Sequence, residues 1–408
     1  MTPSPPAAIY LHVPFCRSIC PYCDFVVVAG SSASGPGSKV ARYARALETE
    51  LHLRADALDA AFGPPGTAGR DPLATAYLGG GTPSLLPAPA IRSILQVIRS
   101  RFGLAPGAEV TLEANPGRAE LGDLGRVVEA GVTRLSFGAQ TLDAGELRRI
   151  GRRHRPEDVA AAVRSARAAG VPSVSLDLLY DIPGQTQASW AATLEGVLTL
   201  EPDHLSLYAL TLDDPDAEGL TGPLGDHLPT SAGARRWRER ALREQDDDRA
   251  AELYEQADRR LAAAGLRAYE ISNWARPGHE SRHNLVYWQR LPHEAVGPGA
   301  HAFDGTVRRW NAASLDAYLS ALDPTGGVEP RLPPGDQETV DDRTAHAERV
   351  ILGLRLADGI PRSWVAGSDL AAPMAWATDL GLVDASTDRL RLSRRGRLLS
   401  NEVFARLL

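Results

Sequence analysis

Short apolar runs alternate with longer amphipathic stretches through the first half of the chain. The runs predict strands at 8–13, 75–80, 109–114, 133–139, 173–180 and 204–210. The stretches between them predict helices at 39–61, 87–102, 119–130, 156–169 and 187–200. Continuously apolar strands that alternate with helices are typical of a parallel sheet covered by helices. Periodicity alone leaves two architectures open, an open doubly wound sheet and a complete or partial (β/α) barrel.

Residues with useful chemistry lie where the predicted strands end. Three cysteines follow the first strand, a glycine-rich segment follows the second, Glu113 ends the third, Gln140 follows the fourth and Asp177 lies within the fifth. Both architectures bind ligands at the carboxyl ends of their parallel strands. We therefore expect the functional site at this edge of the sheet.

The second half of the chain is less regular. We expect a barrel at 1–212, an insertion or linker at 213–249, a barrel extension at 250–340 and a small C-terminal unit at 341–408. The extension predicts a helix near 249–264 and a strand near 268–274. The C-terminal unit ends in a short strand, a turn, a short strand and a basic helix, an order that resembles a winged helix. Such modules often act as lids or interaction domains.

Composition narrows the class of protein. Of the 408 residues, 43% are hydrophobic and 23% are charged, as in ordinary soluble globular proteins. A net charge of −7 gives no reason to expect nucleic acid as a partner, so DNA binding by the C-terminal unit is the weaker interpretation. The first residues lack both a basic start and an apolar stretch, and no apolar run is long enough to cross a bilayer. We expect a protein of the cytosol.

All three cysteines of the chain, Cys16, Cys20 and Cys23, fall on one loop with the spacing CxxxCxxC. Three crowded cysteines do not make a disulfide framework, and soft thiolates suit zinc or an iron–sulfur cluster. A structural zinc ion needs four ligands; His12 is a conceivable fourth, although we expect it to belong to the first strand. Three thiolates on a [4Fe–4S] cluster leave one iron open to an exchangeable small molecule. We expect this cluster rather than zinc or three unrelated buried thiols.

The segment "CRSICPYC" after a first strand resembles the signature of radical S-adenosylmethionine (SAM) enzymes. In that superfamily the open iron binds the amino and carboxylate groups of SAM, and electron donation from the cluster can cleave SAM to a 5′-deoxyadenosyl radical. The segment "LGGGTPS" (78–84) looks like the part that holds the methionine amino group. The resemblance implies a full or partial (β/α) barrel.

The motifs "TLEANP", "SFGAQTLDAGELRRIGRRH" and "SLDLLYDIPGQT" resemble the oxygen-independent coproporphyrinogen-III-oxidase family. By that resemblance the following residues line the SAM site or a second SAM position beside it: Tyr10, Gly80, Gly81, Glu113, Gln140, Arg152 and Asp177. Tyr22 and Thr211 match further family positions. The chain departs from the usual "YGLP" at Asp181, and Asp is one of the few non-glycine residues that accept left-handed backbone angles.

Two departures separate the chain from the coproporphyrinogen dehydrogenases. Phe25 stands where those enzymes carry a fourth cysteine, and only nine residues precede Tyr10 where they have an N-terminal extension. In contrast, CxxxCxxCxF together with "RHNLVYWQR" closely resembles the HemW-type heme chaperones. This resemblance implies heme binding by His283, Tyr287 and Trp288, in which imidazole ligates iron and aromatic faces pack the macrocycle. The competitors for the iron ligand are His293 and His301.

We expect a partial (β/α)6-type radical SAM barrel with a smaller C-terminal α/β unit of winged-helix type. The resemblance implies a heme chaperone that binds a [4Fe–4S] cluster, SAM and heme, lacks coproporphyrinogen dehydrogenase activity, and hands heme to an apo-hemoprotein. It further implies a membrane-bound respiratory acceptor, peripheral contact with the membrane through that partner, and a homodimer. The alternatives are a coproporphyrinogen III dehydrogenase or other radical SAM tetrapyrrole enzyme, and a heme- or redox-responsive DNA binder.

Overall fold

The structure, a computed structural model, describes residues 2–30, 37–323 and 328–408. The strands are β1 (Ala8–Val13), β2 (Phe15–Cys16), β3 (Val28–Ala29), β4 (Leu73–Gly80), β5 (Leu104–Ala114), β6 (Arg134–Gln140), β7 (Ser173–Tyr180), β8 (His204–Ala209), β9 (Arg267–Ala268), β10 (Asn273–Ala275), β11 (His293–Val296), β12 (His301–Phe303), β13 (Val307–Asn311), β14 (Gly335–Thr339), β15 (Ile360–Pro361), β16 (Val383–Ala385) and β17 (Arg389–Leu392). The helices are α1 (Lys39–Phe62), α2 (Ala88–Arg101), α3 (Leu124–Ala130), α4 (Ala144–Arg149), α5 (Pro156–Ala168), α6 (Gln187–Leu198), α7 (Ala232–Leu242), α8 (Asp247–Ala263), α9 (Arg282–Trp288), α10 (Leu315–Leu322), α11 (Asp342–Arg355), α12 (Ala371–Asp379), α13 (Arg394–Leu398) and α14 (Ser400–Phe404). Within these described ranges no helix combines the length and the apolar character needed to span a membrane.

Twelve strands form one sheet in the order β14-β13-β12-β11-β1-β4-β5-β6-β7-β8-β10-β9. Strands β1 and β4 to β8 are parallel and lie side by side in their sequence order. A doubly wound sheet reverses its strand order at a switch point, whereas the strands of a barrel do not. The strand order therefore confirms the prediction of a partial (β/α)6-type barrel and excludes the doubly wound alternative.

Antiparallel strands extend the parallel ladder on both sides. At one edge β10 pairs with β8, with Trp274 opposite Leu205, and β9 follows. At the other edge β11 joins β1 in parallel, with Ala295 opposite Tyr10, before β12, β13 and β14 continue antiparallel. The single strand predicted at 268–274 is therefore wrong, because a turn divides that segment into the two short strands β9 and β10.

The two faces of the barrel strands carry different residues. Ile9, Leu11 and Val13 of β1 are fully buried in the main apolar core, which also contains the buried face of α1. Side chains alternate along a strand, so Tyr10 and His12 of the same strand face the interior of the barrel. The helices thus pack against the aliphatic side chains of the strands, and the polar and aromatic side chains face the interior of the barrel.

The predicted helix at 156–169 agrees with α5 to within one residue, because local signals mark both of its ends. The backbone N–H of Arg155 donates to the Asp158 carboxylate at 2.8 Å, Pro156 occupies the first turn, and Gly170 follows the helix with a φ of 78°. Proline at the start and glycine after the end are the expected signals. The prediction for 119–130 was longer than helix α3, which begins only at Leu124 because Asp123 caps it by accepting from the N–H of Arg126.

The segment at 213–249, predicted as an insertion or linker, contains the unpredicted helix α7. Its first turn is capped by Ser231, whose hydroxyl accepts from the N–H of Ala234. The helix escaped prediction because it buries only Arg238 and Ala241 and therefore carries almost no apolar face. It lies over the loop that carries the cysteines.

Residues beyond 341 have a small apolar core of their own. Its members include Val350, Leu354, Ile360, Met374, Leu382, Leu390 and Phe404. Strands β15, β17 and β16 form a three-stranded antiparallel sheet beside helices α11 to α14. Arg355 at the end of α11 contacts the barrel, since its guanidinium pairs with Glu270 at 3.2 Å and lies 4.2 Å from the ring centre of Trp288.

Asp181, the departure from the family pattern, lies in the left-handed region with a φ of 58°. Its carboxylate accepts from two guanidinium nitrogens of Arg249, one of them Nε at 3.0 Å, and so ties the loop after β7 to helix α8. Asp accepts this backbone conformation at low cost, and here it adds an ion pair that glycine could not make.

We expect Asp181→Gly to lower the thermal midpoint of the apo-protein moderately, because it keeps the backbone conformation and removes the ion pair. Arg249→Met, which removes the partner alone, should act similarly. Asp181→Val should be less stable than Asp181→Gly by roughly 1–2 kcal/mol, because a β-branched residue is strained at positive φ. Equal midpoints for the Val and Gly variants would contradict the left-handed conformation.

Candidate functional site

The loop after β1 brings the three cysteines to the carboxyl edge of the barrel. Strands β2 and β3 pair in parallel, with Phe15 opposite Val28, and fold this loop back on itself. Beneath it lies a cavity of about 570 Å³, here called the main cavity. Its lining includes the following predicted residues: Cys16, Cys20, Cys23, Tyr22, Gly80, Gly81, Glu113, Gln140, Arg152, Asp177 and Thr211. The predicted residues in this cavity run from Cys16 to Thr211, and its lining as a whole extends to Asn401.

The three cysteines are free thiols. Burial raises the pKa of Cys16 to about 11 and that of Cys23 to about 12, so these thiols stay protonated unless a cation replaces the proton. No group of three or more His, Cys, Asp or Glu side chains in the described ranges has the geometry to hold one metal ion. A single zinc ion would need such a group, whereas a [4Fe–4S] cluster takes each thiolate on a different iron. The thiols therefore fit a cluster better than zinc.

Arg152 connects the cysteine loop to the barrel. Its Nη1 donates to Cys20 Sγ at 3.7 Å, and its Nη2 donates to Asn115 Oδ1 at 2.5 Å and to the Gly138 carbonyl at 2.7 Å. Burial alone would disfavour its charge, but nearby Tyr22 and Cys20 raise the pKa of Arg152 above its usual value. The guanidinium is thus a fixed positive charge beside one cysteine.

The glycine-rich segment follows β4 against the first strand. Gly80 has a φ of 105°, and a Cβ on it would lie 2.6 Å from the His12 ring. A Cβ on Gly81 would lie 2.7 Å from the Phe15 carbonyl oxygen. Side chains are therefore excluded at both positions, and the backbone of this segment is held against the cysteine loop.

Glu113 and Asp177 are half-buried carboxylates with hydroxyl partners. Glu113 accepts from Tyr77 Oη at 2.7 Å and from the Gly80 N–H at 3.0 Å, yet burial raises its pKa to about 7. Asp177 accepts from the Ser136 hydroxyl at 3.0 Å, and burial likewise raises its pKa. Neither carboxylate has an ion-pair partner in the described part of the chain, so a bound cation would stabilise their charged forms.

Tyr10 is the one predicted SAM residue that lies outside the main cavity. It lines a neighbouring cavity of about 380 Å³, here called the histidine cleft. The lining residues of the cleft are Tyr10, His12, Asp24, Phe25, Val26, Asp226, His227, Tyr287, His293, Gly299 and His301. Asp24 and Phe25 line both cavities, so the cysteine loop forms the wall between them.

The HNLVYW segment forms helix α9, and its three predicted heme residues do not share a surface. His283 is 1% exposed, with Nδ1 bonded to Thr75 Oγ1 at 2.7 Å and Nε2 bonded to Tyr287 Oη at 2.8 Å. Tyr287 reaches the histidine cleft, whereas Trp288 packs under the Arg355 guanidinium. As placed here, His283 offers no free ring nitrogen to a ligand.

Sequence reasoning missed Arg238 of helix α7. Its Nε donates to the Pro21 carbonyl at 3.1 Å, its Nη2 to the Cys23 carbonyl at 2.9 Å, and its Nη1 to the Asp213 carbonyl. Arg238 as a whole is 6% exposed, and its guanidinium holds the cysteine loop against helix α7. A lone arginine in a highly charged segment gives no signal of this role.

Sequence reasoning also missed the polar partners inside the main cavity. These residues are Tyr77, Asn115, Arg134, Ser136, His204, Ser206 and Tyr208. Most of them lie on the strands at positions that alternate with buried aliphatic residues, so the alternation of polar and apolar positions could have found them. They supply hydroxyl and amide groups around the two carboxylates.

Comparison with known proteins agrees with this arrangement. Residues 10–197 match the Radical SAM superfamily, the class of protein that the cysteine loop and the partial barrel define. A heme chaperone HemW of Mycobacterium tuberculosis is 37% identical over 406 residues, covering 100% of this chain and 96% of that protein. The HemW of Bacillus subtilis is 31% identical and covers 98% of both chains. The chain therefore belongs to the HemW heme chaperone family.

The solved structure of coproporphyrinogen III oxidase (HemN) from Escherichia coli has the same fold. It superposes with a TM-score of 0.79, covers 100% of this chain and 91% of that chain, and is 24% identical in sequence. At this identity the likeness concerns the fold alone.

We expect Cys16→Ser, Cys20→Ser or Cys23→Ser to abolish the [4Fe–4S] cluster, because each removes one of the three thiolates. Iron, sulfide and broad visible absorbance should be measured after anaerobic reconstitution. Ser18→Ala, in the same loop, is the matched control and should retain the cluster. Full iron and sulfide content in a Cys→Ser variant would contradict the assignment.

We expect SAM affinity to fall as the pH is lowered from about 8 to about 6, because protonation of Glu113 removes the negative charge that can accept from the amino N–H groups of SAM. Glu113→Gln should bind SAM roughly 10- to 100-fold more weakly, the equivalent of one charged hydrogen bond, and should lose this pH dependence. Calorimetric titration of the cluster-loaded protein measures both effects. Glu157→Gln, an exposed carboxylate, should behave as wild type; a Glu113→Gln variant with an unchanged pH profile would transfer the role elsewhere.

Proposed function

We propose that this chain binds heme and transfers it to an apo-hemoprotein, with a [4Fe–4S] cluster and SAM held in the main cavity. The full-length similarity to proteins named heme chaperones carries the proposal. The histidine cleft supports it, because a second cavity with imidazole and aromatic walls lies beside the cofactor cavity.

The cysteine loop gives a physical role to cluster and SAM without turnover. Asp24 and Phe25, which follow Cys23 directly, form the wall shared by the two cavities. When bound, the cluster supplies redox and Lewis-acid chemistry at its open iron. The loop that holds it also sets the position of Phe25, so we propose that cofactor binding organises the heme cleft.

Coproporphyrinogen III dehydrogenation is the competing function, since the barrel has the fold of HemN. Phe25 argues against it. Its side chain is 61% exposed at the mouth of the main cavity, where the dehydrogenase pattern carries a further cysteine. An exposed aromatic ring suits contact with an apolar macrocycle.

We further propose a membrane-bound respiratory acceptor and a cytoplasmic protein that reaches the membrane only through this partner. We also propose a homodimer and no nucleic-acid partner. The net charge of −7 supports the last point, because it disfavours a phosphate backbone.

The test is heme titration of anaerobically reconstituted protein, with and without SAM, followed by transfer. We expect heme binding to be tighter in the cluster-loaded protein, and bound heme to move to membrane vesicles that contain a heme-depleted respiratory complex. A soluble apo-globin is the control acceptor, and light scattering reports the oligomeric state.

Two results would contradict the proposal. The first is failure of the wild-type protein to bind heme or release it to any acceptor. The second is conversion of coproporphyrinogen III to protoporphyrinogen, with stoichiometric 5′-deoxyadenosine, by reduced protein supplied with SAM. The second result would establish the competing enzyme.

A further inference from the structure

The histidines around the histidine cleft differ in whether a ring nitrogen is free. Both ring nitrogens of His12 are hydrogen-bonded, because Nε2 donates to the Val26 carbonyl at 2.8 Å and Nδ1 accepts from Tyr10 Oη at 3.1 Å. Both ring nitrogens of His283, which lies behind the cleft, are also hydrogen-bonded, Nδ1 to Thr75 and Nε2 to Tyr287. A heme iron needs a neutral imidazole with an open lone pair, so neither ring qualifies in this conformation.

His293 meets that requirement. Its Nδ1 lies 3.2 Å from the Leu291 carbonyl oxygen. A carbonyl only accepts, so the proton is on Nδ1 and Nε2 keeps its lone pair. No described residue hydrogen-bonds to Nε2, and burial lowers the pKa of His293 to about 4, which keeps the ring neutral. Iron-ligating histidines are commonly oriented by such a bond from the other nitrogen.

The surroundings of His293 suit a porphyrin. The Tyr287 ring stands edge-on to the His293 ring, at 4.7 Å between ring centres. Val26 and Phe25 supply further apolar surface, and the exposed Phe25 leaves the cleft open at its rim. A macrocycle entering here would meet aromatic edges and faces before its iron reached the imidazole.

His227 and His301 are the other cleft histidines in which one ring nitrogen has no hydrogen bond from a described residue, and both bond to the same carboxylate. Asp226 accepts from His227 Nδ1 at 2.9 Å and from His301 Nε2 at 2.7 Å. The His301 side chain is 41% exposed and its ring stacks on Trp310. Ligation at this rim would leave much of the macrocycle in water, which disfavours it relative to His293.

We infer that heme binds in the histidine cleft with its iron on Nε2 of His293, and that His283 is a positioning residue that anchors the Tyr287 hydroxyl. This inference rests on the proposed function and adds the position and the ligand. It explains how the HNLVYW segment contributes to heme binding while its histidine stays buried: the segment builds the wall against which the macrocycle packs.

The test is ferric and ferrous heme titration of cluster-loaded protein, in which the cysteines are occupied and do not compete for iron. The variants are His293→Gly, His283→Ala and Tyr287→Phe, with the exposed His52→Ala as control. Electronic absorption and paramagnetic resonance spectra identify a histidine ligand, and circular dichroism with the thermal midpoint identifies a folding failure.

We expect His293→Gly to lose the histidine-ligated spectrum, to bind heme about 10- to 100-fold more weakly, and to regain the spectrum with added imidazole. His283→Ala and Tyr287→Phe should weaken binding less and keep the histidine-ligated spectrum. His52→Ala should match wild type.

The inference is overturned if His293→Gly keeps the wild-type spectrum. It is also overturned if His283→Ala loses that spectrum and imidazole restores it. If His283→Ala fails to fold, the spectrum of His293→Gly decides, because His283 is intact in that variant and would preserve a histidine-ligated spectrum if it were the ligand. Wild-type protein that binds no heme would overturn the proposed function itself, and this inference with it.

Discussion

The position of the cysteine loop depends on the guanidinium groups of two arginines. Arg152 reaches from the barrel to Cys20, Asn115 and the Gly138 carbonyl, and Arg238 reaches from helix α7 to the carbonyls of Pro21 and Cys23. A guanidinium presents several donors in a fixed plane, so each one sets the distance between segments that are far apart in sequence. The loop is thus held by Arg152, which follows helix α4 and bonds to residues at the ends of β5 and β6, and by Arg238 of helix α7.

The same loop divides the interior into two cavities. Cys16, Cys20 and Cys23 face the main cavity, and the next two residues, Asp24 and Phe25, belong to both cavities. The proposed effect of cluster or SAM binding on the histidine cleft rests on these two shared residues. This arrangement offers a direct physical link between a radical SAM site and the handling of a tetrapyrrole.

The carboxylates of the main cavity follow the same logic. Glu113 and Asp177 are held by the hydroxyls of Tyr77 and Ser136 and not by arginine, so burial raises the pKa of each. Hydroxyl partners orient a carboxylate without neutralising it. The carboxylates of the cavity can therefore pair with a cationic ligand. The nearby positive charge of Arg152 is already hydrogen-bonded to the cysteine loop and to the barrel.

Local signals in the sequence were sufficient for the six parallel strands β1 and β4 to β8 and for most helices between them. The bounds of β1 and β7 were predicted to the residue, and the residues implied by the cysteine spacing and the family resemblance line the main cavity, with the exception of Tyr10. Strand periodicity and motif spacing are local properties, and the parallel order of the strands carries every motif to the same edge. Left-handed geometry at Asp181 was likewise foreseeable from the residue type.

Tertiary structure alone decided what the histidines do. The segment that contains His283 predicts an aromatic heme site, but the direction of that ring depends on Thr75, which lies 208 positions away. The placement of His293 at the cleft depends on β11 joining β1, and the role of Arg238 depends on α7 folding over a loop more than 200 positions earlier. Whether a side chain binds a ligand or satisfies a buried neighbour is settled by such long-range contacts, because an imidazole has two nitrogens and only the folded chain determines which one remains free.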